Sequence, residues 1–360
     1  MNQKRLLGMG AYLGMGEPLG KIASHLEEAS KAGLNAVFTS LQLPESDSET
    51  VKKTIPQFAE IAHSYGLLID ADVSPKITEM LSIDKMDTSA LRSFGLDIAR
   101  LDYGYTTAET AAITNNTDGL MIEINASMPG DKLHKIFRDL ENAGANKDNI
   151  RACHNYYPKA YTGLTCEQVK DSNTAIHEEG IRVAGFIPSL IHRRTACNDG
   201  LPTLERHRFM NVHSSTQEML LLGFDDIFIG DDFAGVEEMK TLTLLGQQKT
   251  IELRIELVNE SEEAKWLAEK EFHHFQTGLE HFIRFRERYP GPIQASTTQP
   301  RKCGDITIDN SGYGRYCGEV NIVRKDIPGN NRVNLIARVL EEDRSILELI
   351  TGSQSIKLVL

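Results

Sequence analysis

Between residues 5 and 245 the sequence alternates short apolar runs with stretches of helical periodicity, eight times over. The runs are 5–13 (RLLGMGAYL), 35–43 (NAVFTSLQL), 67–73 (LLIDADV), 97–104 (DIARLDYG), 118–127 (DGLMIEINAS), 150–157 (IRACHNYY), 182–189 (RVAGFIPS) and 225–231 (DDIFIGD). Helical spacing follows each run: over 18–33, 48–65, 77–81 with 89–94, 107–115, 129–143, 165–179, 214–222 and 236–245. Strands that alternate with helices build a parallel sheet, since each crossover returns the chain to its starting end. Eight such units in roughly 245 residues predict a (β/α)8 TIM barrel. An open doubly wound sheet is the runner-up and would be unusually large.

Beyond Lys249 the pattern changes. Residues 251–258 (IELRIELV) alternate as a strand, and 262–275 and 278–287 carry helical spacing. Short segments bounded by Gly, Asn and Pro follow at 303–308, 318–323, 332–340, 345–351 and 355–360. Short strands with turns between them predict a small antiparallel barrel or sandwich. The expected division is therefore 1–248 for an α/β barrel and 249–360 for a small β-rich domain.

Charge narrows the partners. A net charge of −12 argues against a nucleic-acid backbone or an anionic membrane, but leaves room for an anionic small molecule at a local basic site. Five scattered cysteines, never spaced CxxC, suggest neither a disulfide framework nor a zinc site and fit a reduced cytoplasm. The opening MNQKRLLGMGAYLGMG only faintly imitates a signal peptide, its apolar part being short and glycine-interrupted. No stretch approaches the 18 or so apolar residues of a membrane span. The expected protein is cytoplasmic, with a homo-oligomer left open.

A strand buried on both faces should read as a near-continuous Val/Ile/Leu run. Several runs here do not. In 118–127, Leu120, Ile122 and Ile124 share one face while Met121, Glu123 and Asn125 share the other. The third run opposes Ile69, Ala71 and Val73 to Asp70 and Asp72, and the fourth sets Arg100 and Asp102 on one face. The sixth is ambiguous between His154 with Tyr156 and Asn155 with Tyr157, and the eighth ends in Asp231 and Asp232. One charged strand end is ordinarily solvated. Repetition on three neighbouring strands predicts a carboxylate-rich mouth at the C-terminal end of the barrel, where barrel active sites lie.

Paired carboxylates on opposed strands suit glycoside hydrolysis, in which one acid protonates the leaving oxygen and another stabilises or attacks the oxocarbenium-like centre. By position, Glu123 is one candidate, with Asp72, Asp102 or Asp231 as its partner. Asp70, Arg100, Asn125, His154, Asn155 and Tyr156 are the candidates for substrate contacts. A rival reading takes Asp70, Asp72, Glu123 and His154 as ligands for Mg or Mn in a sugar-phosphate lyase or isomerase. No compact ligand spacing supports it, and no cofactor is expected. Lys159 is the one lysine placed for a Schiff base, and a solvated loop charge accounts for it better. Basic residues cluster at His192, Arg193 and Arg194 after the seventh run, and again at Arg301, Lys302 and Arg315; either cluster suits a phosphate or carboxylate. A solvated charge run is the competing account of both. The stretch 309–319 (DNSGYGRYCGE) is an ordinary hairpin connection or a loop reaching the barrel mouth. Trp266, the single tryptophan, sits at apolar helical spacing and reads as core. A non-catalytic surface protein is the remaining alternative, and the inward carboxylates count against it.

GMGAYLGM, LIDADVSP, ARLDYG, IEINAS, ACHNYYP with YTGL, IGD and the C-terminal CGDITIDNSGYGRYCGE together resemble one bacterial family, the 6-phospho-N-acetylmuramidases, formerly labelled as outer surface proteins. The resemblance runs over essentially the whole chain. It implies a barrel followed by a cyclophilin-like β domain. It also implies exo-cleavage of 6-phospho-N-acetylmuramyl-N-acetylglucosamine in cell-wall recycling, on a disaccharide delivered by a phosphotransferase uptake system. That phosphorylated muramyl disaccharide carries a phosphate and a lactyl carboxylate, which gives the basic clusters a use. No acid or nucleophile is carried over from the family.

Overall fold

The computed structural model describes residues 4–41, 43, 46–194, 197–275 and 278–360. The chain divides into two compact units, Met1–Gln247 and Gln248–Leu360. In the first, eight parallel strands close on themselves in sequence order: β1 (Leu7–Gly10), β2 (Ala36–Ser40), β3 (Leu68–Val73), β4 (Ile98–Leu101), β5 (Met121–Asn125), β6 (Ile150–Cys153), β7 (Val183–Ile187) and β8 (Asp226–Asp232). Closure comes from β1 pairing with β8, with a register shift between Met9 and Gly10. The eight-unit reading holds.

Local chemistry explains where the helices begin. Asp47 caps Ser48–Ser64 through a bond from the Thr50 amide, and Asn211 caps Val212–Leu221 from Ser214. Thr106 with Glu109, and Thr165 with Gln168, form reciprocal capping boxes. Apolar helix faces then cover the outside of the sheet; Phe137, Leu140 and Ile176 pack on Ile124, Ala152 and Val183.

The inside of the barrel is divided. One side is aromatic: Phe38 meets Phe186 with ring centroids 5.0 Å apart, and Phe186 meets Phe228 at 5.9 Å. The other side, on β3 to β6, carries Asp70, Asp72, Arg100, Glu123 and Arg151, all buried. Cross-strand register sets Asp72 beside Arg100, Arg100 beside Glu123 and Glu123 beside Arg151.

The second unit is a seven-stranded sheet built from β9 (Ile251–Leu257), β10 (Glu271–His273), β11 (Phe282–Arg288), β12 (Asp305–Asp309), β13 (Glu319–Val323), β14 (Val333–Val339) and β15 (Ser355–Val359). Their order is β10-β15-β9-β14-β12-β13-β11. Pairing is antiparallel except between β9 and β15, so the sheet is mixed. Its two end strands meet at one antiparallel bridge, His274 to Phe285.

Three expectations fail here. Residues 278–287 do not form a helix: Phe282–Arg288 is a strand, with Ile283 and Phe285 turned to the core at period two. The helix expected to 275 ends at Ala268, and Glu271–His273 is a strand instead. Residues 345–351 form no strand, because Glu341–Glu348 winds into a 3-10 segment that buries Asp343, Ile346 and Leu347.

Gly8 marks where β1 passes closest to the core. A Cβ there would lie 2.5 Å from two Phe228 ring carbons and 2.7 Å from the Ala36 carbonyl oxygen. The oxygen belongs to backbone locked in the β1–β2 ladder and has little room to retreat. Gly8→Ala should therefore destabilise the protein by roughly 1–3 kcal/mol, the usual range for overpacking. An unchanged urea midpoint for this variant would show that the contact relaxes freely.

Candidate active site

The interior charges form a column, which starts at the N-terminal end of the barrel. Asp226, the first residue of β8, accepts from Arg151 Nη2 at 2.6 Å, from Arg182 Nη2 at 2.7 Å and from the Leu6 amide at 2.6 Å. Arg151 also reaches up to Glu123, its Nε 3.5 Å from Oε1. Glu123 has no accessible surface, and burial raises its pKa against the opposing charges of Arg151 and Arg100. Asp70 is equally buried, and among the described residues neither of its oxygens accepts a hydrogen bond. Burial, with the charge of Glu123 behind it, holds its carboxyl well above the ordinary range.

Nearer the C-terminal ends, Arg100 Nη1 donates to Asp72 Oδ1 at 2.7 Å, and its Nη2 donates to the side-chain Oδ1 of Asn155. Burial opposes the Arg100 charge, and Asp72 and Glu123 outweigh it. Above this pair sit the aromatic rings of Tyr12 and Tyr156, with centroids 6.5 Å apart. The Arg194 guanidinium lies over both, 4.9 Å from the Tyr12 centroid and 5.4 Å from that of Tyr156, and contacts Tyr156 Oη at 3.3 Å. Asp232 closes the ring of groups. It is the last residue of β8, half-buried, and its Oδ1 accepts from the Tyr12 amide at 3.3 Å. Burial pushes its carboxyl up to about 6, with the negative charges of Glu17 and Asp231 adding to the effect. A carboxyl matched to a guanidinium, and a second leaning toward its neutral form, thus occupy one barrel mouth.

The sequence-predicted residues separate into three groups. Asp72, Arg100, Asn155, Tyr156 and Arg194 converge at the mouth. Glu123 and Asp70 lie in the sealed interior below it. The remainder do other work. Asp231 accepts three backbone amides, from Ser189 (2.9 Å), Arg194 (2.9 Å) and Leu201 (3.2 Å), and so anchors the loop after β7. Asp102 is exposed just past β4. Asn125 Oδ1 accepts from the Ser127 amide at 2.7 Å. His154 points out of the barrel to Asn173 Oδ1 (2.9 Å) on the helix Cys166–Glu178, and burial lowers its pKa to about 4. The ligand set Asp70, Asp72, Glu123 and His154 is therefore not assembled. Arg193 donates to the Arg208 carbonyl at 2.9 Å and stacks over Phe209. Lys159 is exposed. Arg315 belongs to the second unit, exposed, with Nη2 donating to Tyr316 Oη at 2.8 Å.

Sequence reasoning missed Arg151, Asp226 and Tyr12, and passed over Asp232 in favour of its neighbour. Strict alternation contained part of the signal. Counting by twos from Phe228 gives Gly230 on the inner face with Asp226 below, whereas Asp232 lies past the register shift between β1 and β8, where counting gives no direction. Counting from Cys153 gives Arg151.

Fold and site together define a (β/α)8 barrel whose strand ends bring contrasting carboxylates to one mouth. The chain belongs to the 6-phospho-N-acetylmuramidase family: the family's N-terminal model matches residues 7–244 and its C-terminal model residues 251–359. It is similar over 99% of its length to all of an uncharacterized B. cereus protein, at 25% identity and a TM-score of 0.85. It is also similar over 98% of its length to 96% of a conserved Enterococcus faecalis protein of unknown function, at 25% identity and a TM-score of 0.74. No curated protein matches it.

Asp70 supplies a test of the interior charges. Its folded-state pKa lies above the unfolded value of about 3.9. The stability it contributes is complete below that value and is lost as pH rises through the folded pKa. Asp70→Asn removes the titration, so the variant should gain on the wild type as pH rises from 4 to 8. Urea midpoints of the two proteins across that range measure it; a difference constant with pH would rule out a raised Asp70.

Proposed function

We propose that this chain is a glycoside hydrolase that cleaves 6-phospho-N-acetylmuramyl-N-acetylglucosamine to 6-phospho-N-acetylmuramate and N-acetylglucosamine, in cytoplasmic recycling of cell-wall sugars. The family match supports the substrate. The observation that carries the chemistry is the contrast between Asp232 and Asp72 at the barrel mouth. Asp232, whose carboxyl is pushed up to about 6, holds a proton in the acidic range up to about that pH and gives it to the leaving glycosidic oxygen. Asp72, oriented by Arg100, faces the positive charge that develops at the anomeric centre. Two carboxyls in different environments are the usual basis for dividing the roles of the pair.

Glu123 takes a different part from the one its sequence position suggested. With no accessible surface it touches no substrate in this conformation. It stands beside Arg100 in the β4–β5 register and balances that guanidinium from below. We assign it to positioning Arg100, and through it Asp72. Arg194, spread over Tyr12 and Tyr156, is the guanidinium best placed to meet the phosphate or the lactyl carboxylate.

Purified protein should hydrolyse the phosphorylated disaccharide and leave the unphosphorylated one essentially intact; cleavage of neither removes this reading. The acid assignment has its own test. Asp232→Asn should slow the natural disaccharide by 10²-fold or more, typical of a lost general acid. It should slow a nitrophenyl glycoside of the same 6-phosphosugar far less, since that leaving group needs no proton. Activity on the disaccharide falls as pH rises past about 6, because the protonated acid is the working form. Equal losses on both substrates would move the acid to another residue.

A further inference from the structure

The second unit holds a cavity of about 300 Å3 lined entirely by its own residues, among them Arg284, Arg301, Asp309, Tyr313, Tyr316 and Asn321. It lies on an unusual sheet face. β11, β12 and β13 turn Ile283, Phe285, Ile306, Ile308, Val320 and Ile322 to an apolar core. The opposite face of β12 and β13 is buried as well, yet it carries Thr307, Asp309, Glu319 and Asn321. Register lines up Arg284, Asn321 and Thr307 across the three strands.

Buried polar groups normally have partners. Glu319 has them, in ion pairs with Arg284 and Arg288. Asp309 and Asn321 are 8% and 9% exposed, and among the described residues neither side chain has a hydrogen-bond partner. Both side chains line the cavity, so their hydrogen-bonding capacity is directed at whatever fills it. Burial and the nearby Glu319 push the Asp309 carboxyl up to about 7.

We propose that this cavity binds a single sugar ring bearing one acidic substituent. An amide beside a carboxyl offers both donors and acceptors to neighbouring ring hydroxyls. The rings of Tyr313 and Tyr316, 6.4 Å apart and at 82° to one another, provide flat apolar walls. The volume stands at the lower end of ligand pockets, roughly 300–1,000 Å3, and suits one ring rather than two. Arg301 supplies the charge. Its Nε and Nη2 donate to the Pro328 carbonyl, which leaves Nη1 for an anion. Arg284 and Arg301 line the cavity with Asp309 and Glu319, and Arg288, outside the lining, also pairs with Glu319, so the positive charge of Arg301 is left to favour a negative ligand. The inference is independent of the barrel chemistry.

The test uses full-length protein, ligand-observed NMR, and glucuronate, glucose 6-phosphate and glucose as probes. At least one acidic sugar should bind at least tenfold more tightly than glucose; which one separates a carboxylate from a phosphate site. Arg301→Ala, a change at the cavity rim, should erase that preference and leave glucose affinity within twofold. Asn321→Leu should weaken all three probes, with circular dichroism confirming the fold. Absence of binding by both acidic sugars overturns the proposal. So does binding that both variants retain, which would place the ligand elsewhere in the chain.

Discussion

The barrel interior depends on ion pairs made away from water. Asp226 holds Arg151 and Arg182, Arg151 reaches Glu123, and Arg100 holds Asp72. Each charge would be expensive to bury alone, and pairing only about offsets the desolvation. Such an arrangement is a weak reason for stability against an apolar barrel. It is a strong reason for a particular geometry, because a guanidinium between two carboxylates has few acceptable positions. The aromatic side, with Phe38, Phe186 and Phe228, supplies the packing that the charged side gives up.

That division determines what the mouth presents. Asp72 emerges from the charged side already matched to Arg100, whereas Asp232 emerges beside Tyr12, from the aromatic side. The same residue type therefore meets two environments: a guanidinium in one case, a desolvating wall and like charges in the other. The loop after β7 completes the contrast. Asp231 fixes it through three backbone amides, one of them that of Arg194, so the carboxylate next to Asp232 serves as an anchor for a cation. Adjacent aspartates at one strand end meet different partners, the loop after β7 for Asp231 and the Tyr12 amide for Asp232, where the β1–β8 register shifts.

The barrel was legible because it is written in periodicity, which survives errors of two or three residues at each boundary. The site was legible only in part. Asp72 and Arg100 lie inward as strand alternation predicts, whereas Asn155 and Arg194 lie beyond β6 and β7, where alternation gives no direction. The ambiguity of the sixth run is resolved by His154 turning outward to Asn173, since a one-residue shift of register exchanges the two faces of a strand. β6 is four residues long, too short for alternation to declare itself, and an inward Arg151 near its start looks like a solvated strand end. Glu123 misled differently. Its inward direction was right, and its depth, which decides whether a carboxylate meets substrate or supports another residue, is a property of the closed barrel. The strand Phe282–Arg288 was misread because FIRFRER places charges at alternate positions, a pattern that also suits an exposed helix.

The second unit repeats the theme on a different scaffold. An apolar strand face needs no explanation, and a polar one is normally turned to water. β12 and β13 do neither: both faces are buried, and one is lined with acids, an amide and a hydroxyl. In the barrel, Asp72 and Asp226 are matched by arginines, so their polarity is spent on holding geometry. Around Asp309 and Asn321 that matching is incomplete, and the space beside them stays open. A polar face that the chain buries, leaves partly unmatched and does not fill is one whose missing partners lie outside the chain.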